Sequence, residues 1–466
     1  MIINYDVAII GAGPAGMFAA YHILKKKSGA SILLIDQGKS FSDRKCCGKC
    51  SVCAYRKCCN ILCGVGGSGL FSDGKLVLDL HSGGKLDSIT KLDDRDRANL
   101  LEEIVSTLKQ YDGKSEPSGE LSEKNSIEWD EKCNVVGLNI KHYDVLHIGS
   151  ENLSHIISNW GQEIFNNPHM TLKTNCHIVQ VNKIDNGKTK LYSIDGEVYS
   201  ASHVIFAVGK SGDNWLHDIF SKNGIGFKKT NTYIGVRVET NHNNLKRLFD
   251  YSFDPKIWAF YGKRKVKTHC FCRHGNIIST YYLGIPVIGG YTQFTSKNGI
   301  PEKEQSPNSN FNILISTDRS KDEIMKILKQ FKAINPDGGV FQKLSDFMAT
   351  TDYEISQSGC SFNQCNHGNI RLILDRLDSS GSIIADFLLR LSKIVPGILE
   401  GDSIVYAPAV EWFMDSVEVD SHMETTQTNW FAVGDGAGLS QGIVHAAATS
   451  IIAAEEICKR LEAKTF

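Results

Sequence analysis

The sequence lacks a surplus of charge of either sign, because 51 Lys and Arg residues stand against 52 Asp and Glu residues. A dedicated nucleic-acid-binding protein is usually clearly basic, so we expect no nucleic-acid partner. Cysteine is scarce as a share of the chain, at 14 of 466 residues, which is below the level of a disulfide scaffold. With 41% hydrophobic residues, the composition also excludes a disordered or fibrous chain.

Long hydrophobic runs are missing as well. No stretch reaches the roughly 18 uninterrupted apolar residues that a membrane span needs, and the helix-like segment 443–461 contains four charged side chains. Asp6 interrupts the first apolar stretch, and no cleavage site typical of a signal peptide follows it. We therefore expect a cytoplasmic protein without a membrane span, whose cysteines are thiols, metal ligands or redox pairs.

The first forty residues carry the strongest motif. A β-branched run over 5–10 predicts a buried strand, and it leads into Gly-Ala-Gly-Pro-Ala-Gly at 11–16. The sequence then predicts a helix over 17–27 and a second strand over 31–35, which ends at Asp36. Strand, G-x-G-x-x-G, helix, strand and acid in this order predict a dinucleotide-binding site.

Each part of this motif has a physical role. Gly11 permits the tight turn, Gly13 allows backbone amides to approach a pyrophosphate, and Gly16 allows the helix to pack closely on the strand. The helix N-terminus favours a phosphate, and Asp36 can accept hydrogen bonds from a ribose diol. A glycine-rich structural turn is the alternative, but it leaves the acid unexplained.

Two later segments indicate which dinucleotide binds. A strand that ends in Gly434-Asp435, followed by Gly442 and a helix from Ile443, resembles the second FAD fingerprint of the two-dinucleotide-binding-domain flavoproteins. In that superfamily the Asp binds a ribityl hydroxyl and the helix N-terminus faces the flavin. The segment 202–212, which includes Gly209, resembles the superfamily's strand followed by A-x-G. No second strand–GxGxxG–helix–acid unit is present, so a built-in NAD(P)H domain is not expected.

The segment 64–76 narrows the resemblance, because it is similar to the GxGGxGxFSDGKL signature of the predicted FAD-dependent dehydrogenase family. Segments at 234–239 and 270–275, and Glu411, also resemble that family, so the resemblance spans nearly the whole chain. It implies an α/β fold, a Rossmann-like FAD-binding domain (GR2-type) with an inserted mixed β-sheet and helix substrate domain. We expect the FAD-binding domain at 1–80, 145–215 and 405–466, a helical and polar connector at 81–144, and the substrate domain at 216–404.

The resemblance also implies a function: an FAD-dependent dehydrogenase or oxidase that transfers a hydride between a small organic substrate and flavin N5. An electron carrier is a further possible partner. The alternatives are an electron relay with a Cys-ligated iron–sulfur centre and a non-catalytic FAD-containing binding protein. The residues expected to bind FAD are Gly11, Gly13, Pro14, Ala15, Gly16, Asp36, Gln37, Gly67, Ser68, Ile178, Gly209, Gly434, Asp435, Gly442 and Ile443.

Three residues are candidates for catalysis. His445 stands in the first turn of the helix expected to face the flavin and is either an acid/base group or a helix-packing histidine. Arg237 shares a strand face with Glu239, where it either binds a substrate carboxylate or forms a buried ion pair. Lys75 follows the glycine-rich loop and is expected to contact FAD or substrate.

Seven of the 14 cysteines fall within residues 46–63. The spacing Cys47-x2-Cys50-x2-Cys53-x4-Cys58 is typical of ligands for Zn or an iron–sulfur cluster. A redox dithiol formed by Cys58 and Cys63 is a second interpretation, and a set of reduced thiols in a tight loop is the third.

The segment 256–275 contains six Lys and Arg residues and no acid. It predicts either a docking site for an acidic substrate or a carrier such as ferredoxin, or a solvated strand and turn. Elsewhere, the sequence predicts a helix over 151–165 and a strand over 171–183. The segment 112–132 has seven acids, three bases and few core residues, which favours a solvated connector, with a lid as the alternative.

Overall fold

The computed structural model describes residues 2–27, 29–45, 59–72, 74–81, 83–112, 123–184, 187–282, 284–292, 306–349, 362–411 and 414–463. The strands in these ranges are β1 (Ile2–Ile10), β2 (Ile32–Ile35), β3 (Lys75–Val77), β4 (Asn139–Lys141), β5 (Val145–His147), β6 (Met170–Lys173), β7 (Ile178–Lys183), β8 (Thr189–Ser193), β9 (Val198–Phe206), β10 (Phe227–Lys228), β11 (Thr232–Asn241), β12 (Lys256–Tyr261), β13 (Arg264–Cys272), β14 (Asn276–Tyr282), β15 (Ile285–Tyr291), β16 (Asn308–Thr317), β17 (Val340–Lys343), β18 (Asn366–His367), β19 (Ile404–Glu411), β20 (Ser416–Val417) and β21 (Trp430–Ala432).

The α-helices in the same ranges are α1 (Pro14–Lys26), α2 (Leu86–Ile89), α3 (Asp94–Asp112), α4 (Glu123–Val135), α5 (Ser150–Phe165), α6 (Asp213–Lys222), α7 (His242–Tyr251), α8 (Lys321–Ile334), α9 (Leu344–Ala349), α10 (Ile370–Asp375), α11 (Ser380–Ile394) and α12 (Ile443–Ala463). Short 3-10 helices lie at Phe41–Asp43, Ser68–Phe71, Lys210–Gly212 and Asp435–Ala437. No helix among the described residues is long and apolar enough to span a membrane.

The first sheet is built around parallel strands in the order β6-β2-β1-β9, and β21 and β8 share the far edge of β9. Strand β2 consists of Ile32, Leu33, Leu34 and Ile35, and all four are buried, which is typical of a parallel strand covered on both faces. Helix α1 packs against α12 beside this sheet. Strands β2 and β6 lie on one side of β1, and β9 lies on the other, so the direction of the strand order reverses at β1. In sheets with such a reversal, ligands bind beyond the carboxyl ends of the central strands.

The second large sheet has the order β18-β17-β19-β11-β16-β13-β12-β4, and its central strands are antiparallel. In β11 the side chains of Ile234, Val236 and Val238 are buried in an apolar core with helices α7, α8 and α11. The alternating residues Arg237 and Glu239 therefore point to the opposite face. One face of this sheet is thus apolar. The other, which we call the polar face, carries these charged side chains beside a smaller apolar cluster that includes Phe341, Ile404 and Tyr406. The fold is α/β, as the sequence predicts.

Two local predictions from the sequence are wrong. The single strand predicted over 171–183 is two strands, β6 and β7, because Asn175 adopts a left-handed conformation with φ of 52° between them. The connector predicted to be solvated over 112–132 is not solvated throughout, because Trp129 of α4 is buried in the core of the second sheet; residues 113–122 lie outside the described residues.

The division into an FAD-binding domain, a connector and a substrate domain stays a prediction. Strand β4, from the predicted connector, pairs with β12 in the antiparallel sheet. Strand β19 lies at the predicted start of the last FAD-binding piece and also belongs to the antiparallel sheet. Both strands therefore belong to the sheet that is formed mostly by residues of the predicted substrate domain.

Candidate functional site

Four strands of the parallel sheet end at one edge, and the residues after each strand line one cavity of about 280 Å³. These strands are β1, β2, β9 and β21, and the segments that follow them begin at Gly11, Asp36, Ala207 and Val433. Parallel strands bring their carboxyl ends to the same edge. Segments that are more than 400 residues apart in the chain therefore meet at one site.

Fourteen of the fifteen residues predicted to bind FAD line this cavity. They are Gly11, Gly13, Pro14, Ala15, Asp36, Gln37, Gly67, Ser68, Ile178, Gly209, Gly434, Asp435, Gly442 and Ile443. The fifteenth, Gly16, packs behind the lining, where a Cβ atom would stand 1.9 Å from the carbonyl oxygen of Gly11. Its role as the close-packing glycine of the motif fits this position.

The first glycine-rich turn is fixed by backbone contacts. Gly11 has φ of +106°, and a Cβ atom there would stand 2.2 Å from the carbonyl oxygen of Ala207. Helix α1 then begins at Pro14, with Gly13 as its N-cap residue and no side chain capping this end. An uncapped helix N-terminus that faces a cavity is suited to an anion such as a pyrophosphate.

The second glycine-rich segment covers the first. A Cβ atom on Gly67 would stand 2.9 Å from the Cα atom of Gly13, and Gly67 itself has φ of +56°. The amide of Gly66 donates a hydrogen bond to the carbonyl oxygen of Ala12 at 2.8 Å. Side chains at Gly13 and Gly67 would fill the space between the two glycine-rich segments. The two glycines therefore leave this part of the cavity open.

Asp36 lies at the next part of the lining and is 7% exposed. Its carboxylate accepts hydrogen bonds from the amides of Ala12, at 2.9 Å, and Gly38, at 2.8 Å. Burial raises the pKa of Asp36 above its usual value, although both amides oppose that shift. The carboxylate therefore ties the glycine-rich turn to β2, besides offering its remaining acceptor capacity to a ligand.

The other end of the lining carries Asp435 and the N-terminus of α12. Asp435 accepts a hydrogen bond from the hydroxyl of Ser440 at 2.7 Å, and the ammonium of Lys210 lies 3.9 Å from its second carboxylate oxygen. Lys210 also lines the cavity. Lys210 belongs to the segment 202–212, but no role for it could be predicted from the sequence, because only the folded chain brings it beside Asp435.

The three candidate catalytic residues lie in different places. Lys75 lines the cavity and donates a hydrogen bond to the carbonyl oxygen of Phe271 at 2.8 Å. His445 does not line the cavity: it is buried, its Nε2 atom lies 3.2 Å from the carbonyl oxygen of Leu80, and burial lowers its pKa. The packing alternative for His445 agrees with this position, and its catalytic role stays a prediction.

Arg237 is 1% exposed and does not line the cavity. Its guanidinium donates hydrogen bonds to the side-chain oxygens of Asn310 and Asn312 at 2.6 and 2.9 Å and to the carbonyl oxygen of Cys270 at 3.0 Å. These bonds hold strands β11, β13 and β16 together on the polar face. A contact between Arg237 and a substrate carboxylate therefore stays a prediction.

The proposed metal ligands Cys47, Cys50, Cys53 and Cys58 lie outside the described residues. Cys63, which follows them, is buried and lines the cavity, and its Sγ atom accepts a hydrogen bond from the side-chain Nε2 atom of Gln37 at 3.5 Å. Within the described ranges no group of three or more His, Cys, Asp and Glu residues is arranged to hold a metal ion. The cysteine-rich loop thus adjoins the cavity at Cys63, and its metal content stays a prediction.

No protein-family model matches this sequence, and no curated protein shows significant similarity to it. Among solved structures the chain is similar to CtdE in complex with FAD, with 12% identity, 99% of this chain and 88% of that chain covered, and a TM-score of 0.36. It is also similar to glycine oxidase from Geobacillus kaustophilus, with 11% identity, coverage of 98% and 95%, and a TM-score of 0.37. A third similar structure is p-nitrophenol 4-monooxygenase PnpA from Pseudomonas putida DLL-E4, with 10% identity, coverage of 100% and 80%, and a TM-score of 0.37. Similarities of this size assign neither a family nor an activity to the chain.

Proposed function

We propose that this protein is an FAD-dependent oxidoreductase that acts on a small organic molecule. The observation that carries the proposal is the single cavity at the carboxyl edge of the parallel sheet. Three glycine-rich segments, at 11–16, 64–69 and 434–442, contribute to its lining. A structural turn requires only one such segment, whereas a long dinucleotide needs backbone approach at several points.

The residues present fit FAD along the length of the cavity. The N-terminus of α1 would hold the pyrophosphate, and Asp36 would accept hydrogen bonds from the adenosine ribose. Ile178 would contact the adenine, while Asp435 and the N-terminus of α12 would hold the ribityl chain and the flavin. When bound, FAD supplies hydride chemistry at its N5 atom.

Oxidation of the substrate is the favoured direction, so the protein would act as a dehydrogenase or an oxidase. The sequence contains no second strand–G-x-G-x-x-G–helix–acid unit for a resident nicotinamide, which supports electrons arriving from the substrate and leaving to a transient acceptor or carrier. The protein's own residues then bind and orient the substrate and exclude water. We further propose a cytoplasmic location, which the composition supports.

A second candidate is an electron relay, in which a Cys-ligated iron–sulfur cluster lies near the FAD. It is supported by the spacing of Cys47, Cys50, Cys53 and Cys58 and by the position of Cys63 in the lining of the cavity. Iron and sulfide analysis of protein purified without oxygen tests it. Stoichiometric iron and sulfide would favour the relay, zinc would favour a structural clamp, and a metal-free protein would remove both.

The visible absorbance spectrum and flavin content of the purified protein test the main proposal. We expect one FAD per chain, either as purified or after reconstitution with FAD. A folded protein that is colourless and does not take up FAD would overturn the proposal. Loss of FAD binding in Gly13→Ala, with retention in Gly29→Ala, would assign the binding to this cavity, since a Cβ atom at Gly29 meets nothing within 4 Å.

A further inference from the structure

The polar face of the antiparallel sheet carries a buried group of charged side chains. The ammonium of Lys267 lies 2.6 Å from a carboxylate oxygen of Glu411 and 4.2 Å from the centre of the Tyr233 ring. The Nε2 atom of His269 lies 3.7 Å from the other oxygen of Glu411. The Glu411 side chain is only 5% exposed, so the strands bury this ion pair rather than display it.

The strand register brings these residues together. Tyr233 of β11 pairs directly with Glu411 of β19, and paired residues of antiparallel strands share a face. Lys267 and His269 are two residues apart on β13, so they also share a face. The group is therefore built into the sheet and does not depend on a loop.

This polar group lies beside the proposed cofactor cavity. Lys75 lines the cavity, and its ammonium donates to the carbonyl oxygen of Phe271, two residues beyond His269 on β13. Lys210 also lines the cavity, and its positive charge lowers the pKa of both Glu411 and Lys267. The cavity lining and the polar face are thus neighbours at these two lysines.

Five lysines come from the elements where the two regions meet, and three of them have carboxylate partners: Lys256 with Asp254 at 2.8 Å, Lys267 with Glu411 at 2.6 Å, and Lys210 with Asp435 at 3.9 Å. Strands β12 and β13 contribute Lys256, Lys265 and Lys267, and the cavity lining contributes Lys75 and Lys210. Burial lowers the pKa of Lys267, and the charges of Lys256 and Lys210 lower it further, although Glu411 opposes both. The five ammonium groups exceed these three carboxylates, so an anion that binds among them would meet net positive charge.

We propose that this lysine cluster, with Lys267 held in place by Glu411, binds the oxyanion group of a small-molecule substrate beside the cofactor. The inference rests on the proposed function, because it assigns a substrate class to the same active site. A small molecule fits better than a carrier protein, since the Lys267 side chain is 18% exposed and its partner is almost fully buried. The exposed charge of the same segment is Lys263, in the turn between β12 and β13.

Calorimetric titration of the FAD-reconstituted protein with oxalate, acetate and inorganic phosphate tests the proposal. We expect at least one of these anions to bind saturably and to shift the visible spectrum of the flavin. In Lys267→Gln the dissociation constant should rise at least about tenfold, because one charge that faces the anion is lost. The preferred anion also indicates the chemical group of the substrate. Tighter binding of oxalate or acetate indicates a carboxylate substrate, and tighter binding of phosphate indicates a phosphorylated substrate.

Two further variants keep the outcome clear. Lys267→Gln/Glu411→Gln removes both charges, so no buried carboxylate is left unpaired if the single variant is unstable, and it should bind the anion as weakly as the single variant. Lys263→Gln is the matched control and should change the affinity by less than about twofold, as expected for an exposed charge. Flavin content is measured in parallel, so a protein that does not bind FAD refutes the proposed function separately.

Absence of binding for all three anions in FAD-loaded protein would overturn the proposal while leaving the FAD assignment intact. Equal weakening by Lys263→Gln and Lys267→Gln would also overturn it, because the effect would then come from general charge. Unchanged affinity in Lys267→Gln and the double variant would do the same.

Discussion

The carboxyl edge of the parallel sheet lines the cavity, and the polar face of the antiparallel sheet is joined to that lining through Lys75 and Phe271, but the two are built by different means. At the parallel edge, glycines and helix ends expose the backbone, and few side chains line the tightest turns. On the antiparallel face, side-chain charges such as Lys267 and Glu411 are buried in pairs. We call the parallel edge the backbone-built surface and the antiparallel face the side-chain-built surface. The first suits a large cofactor with fixed chemistry, whereas the second can be specific for one substrate.

The largest effect is expected on the side-chain-built surface. Lys267→Met leaves the Glu411 carboxylate buried without its cation, which should lower the free energy of unfolding by about 3–5 kcal/mol. Chemical denaturation monitored by circular dichroism measures it. The double variant Lys267→Met/Glu411→Met should recover most of this loss, and a single variant as stable as the parent protein would mean that the pair is solvated.

The corresponding change on the backbone-built surface is Gly11→Ala. Its Cβ atom would stand 2.2 Å from a backbone oxygen at a φ of +106°, so we expect a loss of about 3 kcal/mol in the free energy of unfolding.

Gly13→Ala separates stability from binding, because its Cβ atom meets only ordinary contacts at 3.5 Å. It should change stability by less than about 1 kcal/mol and weaken FAD binding at least about tenfold.

If Gly13→Ala bound FAD as tightly as the parent protein by fluorescence titration, the pyrophosphate would not lie at this turn. The contrast between Gly11 and Gly13 would then reflect packing alone.

The acid stability of the protein should also depend on the side-chain-built surface. Burial disfavours the charged form of Glu411, but His269 and Lys267 outweigh it and hold the pKa of Glu411 at about 2. A carboxyl whose pKa is depressed by folding stabilises the fold above its unfolded value of 4.5, and this stability is lost as the pH falls towards 2. The loss is on the order of 2–3 kcal/mol.

Unfolding midpoints between pH 6 and pH 2 measure this dependence. The variant Glu411→Gln should show a shallower fall below pH 4.5 than the parent protein. Parallel curves for the two proteins would show that Glu411 titrates normally in the folded state.

The smallest effect is expected at His445, which separates packing from chemistry at the start of α12. His445→Gln can still donate to the carbonyl oxygen of Leu80, so we expect a loss of about 1 kcal/mol in stability and unchanged FAD content. Thermal unfolding and the flavin spectrum of one preparation measure both. Loss of FAD from a stable His445→Gln protein would place this side chain at the cofactor.

The two regions also differ in how far the sequence predicts them. The glycine spacing at 11–16 is local, and Asp36 ends the next predicted strand, so this part of the parallel edge could be predicted from the residues themselves. The lining residues of the later segments were predicted from the resemblance to flavoproteins. The pair Lys267 and Glu411 depends on the register of β11, β13 and β19, which no local pattern specifies. The break at Asn175 also depends on a single left-handed residue rather than on hydrophobic periodicity.

Hydrogen–deuterium exchange with and without FAD tests the central claim most directly, because it reports on all three glycine-rich segments in one experiment. The account predicts that FAD protects the amides of segments 11–17, 64–70, 207–212 and 434–446 together, with no change in the turn at 261–264. Protection that is confined to one of these segments, or that appears only elsewhere in the chain, would contradict a single cavity built by the carboxyl edge of the parallel sheet.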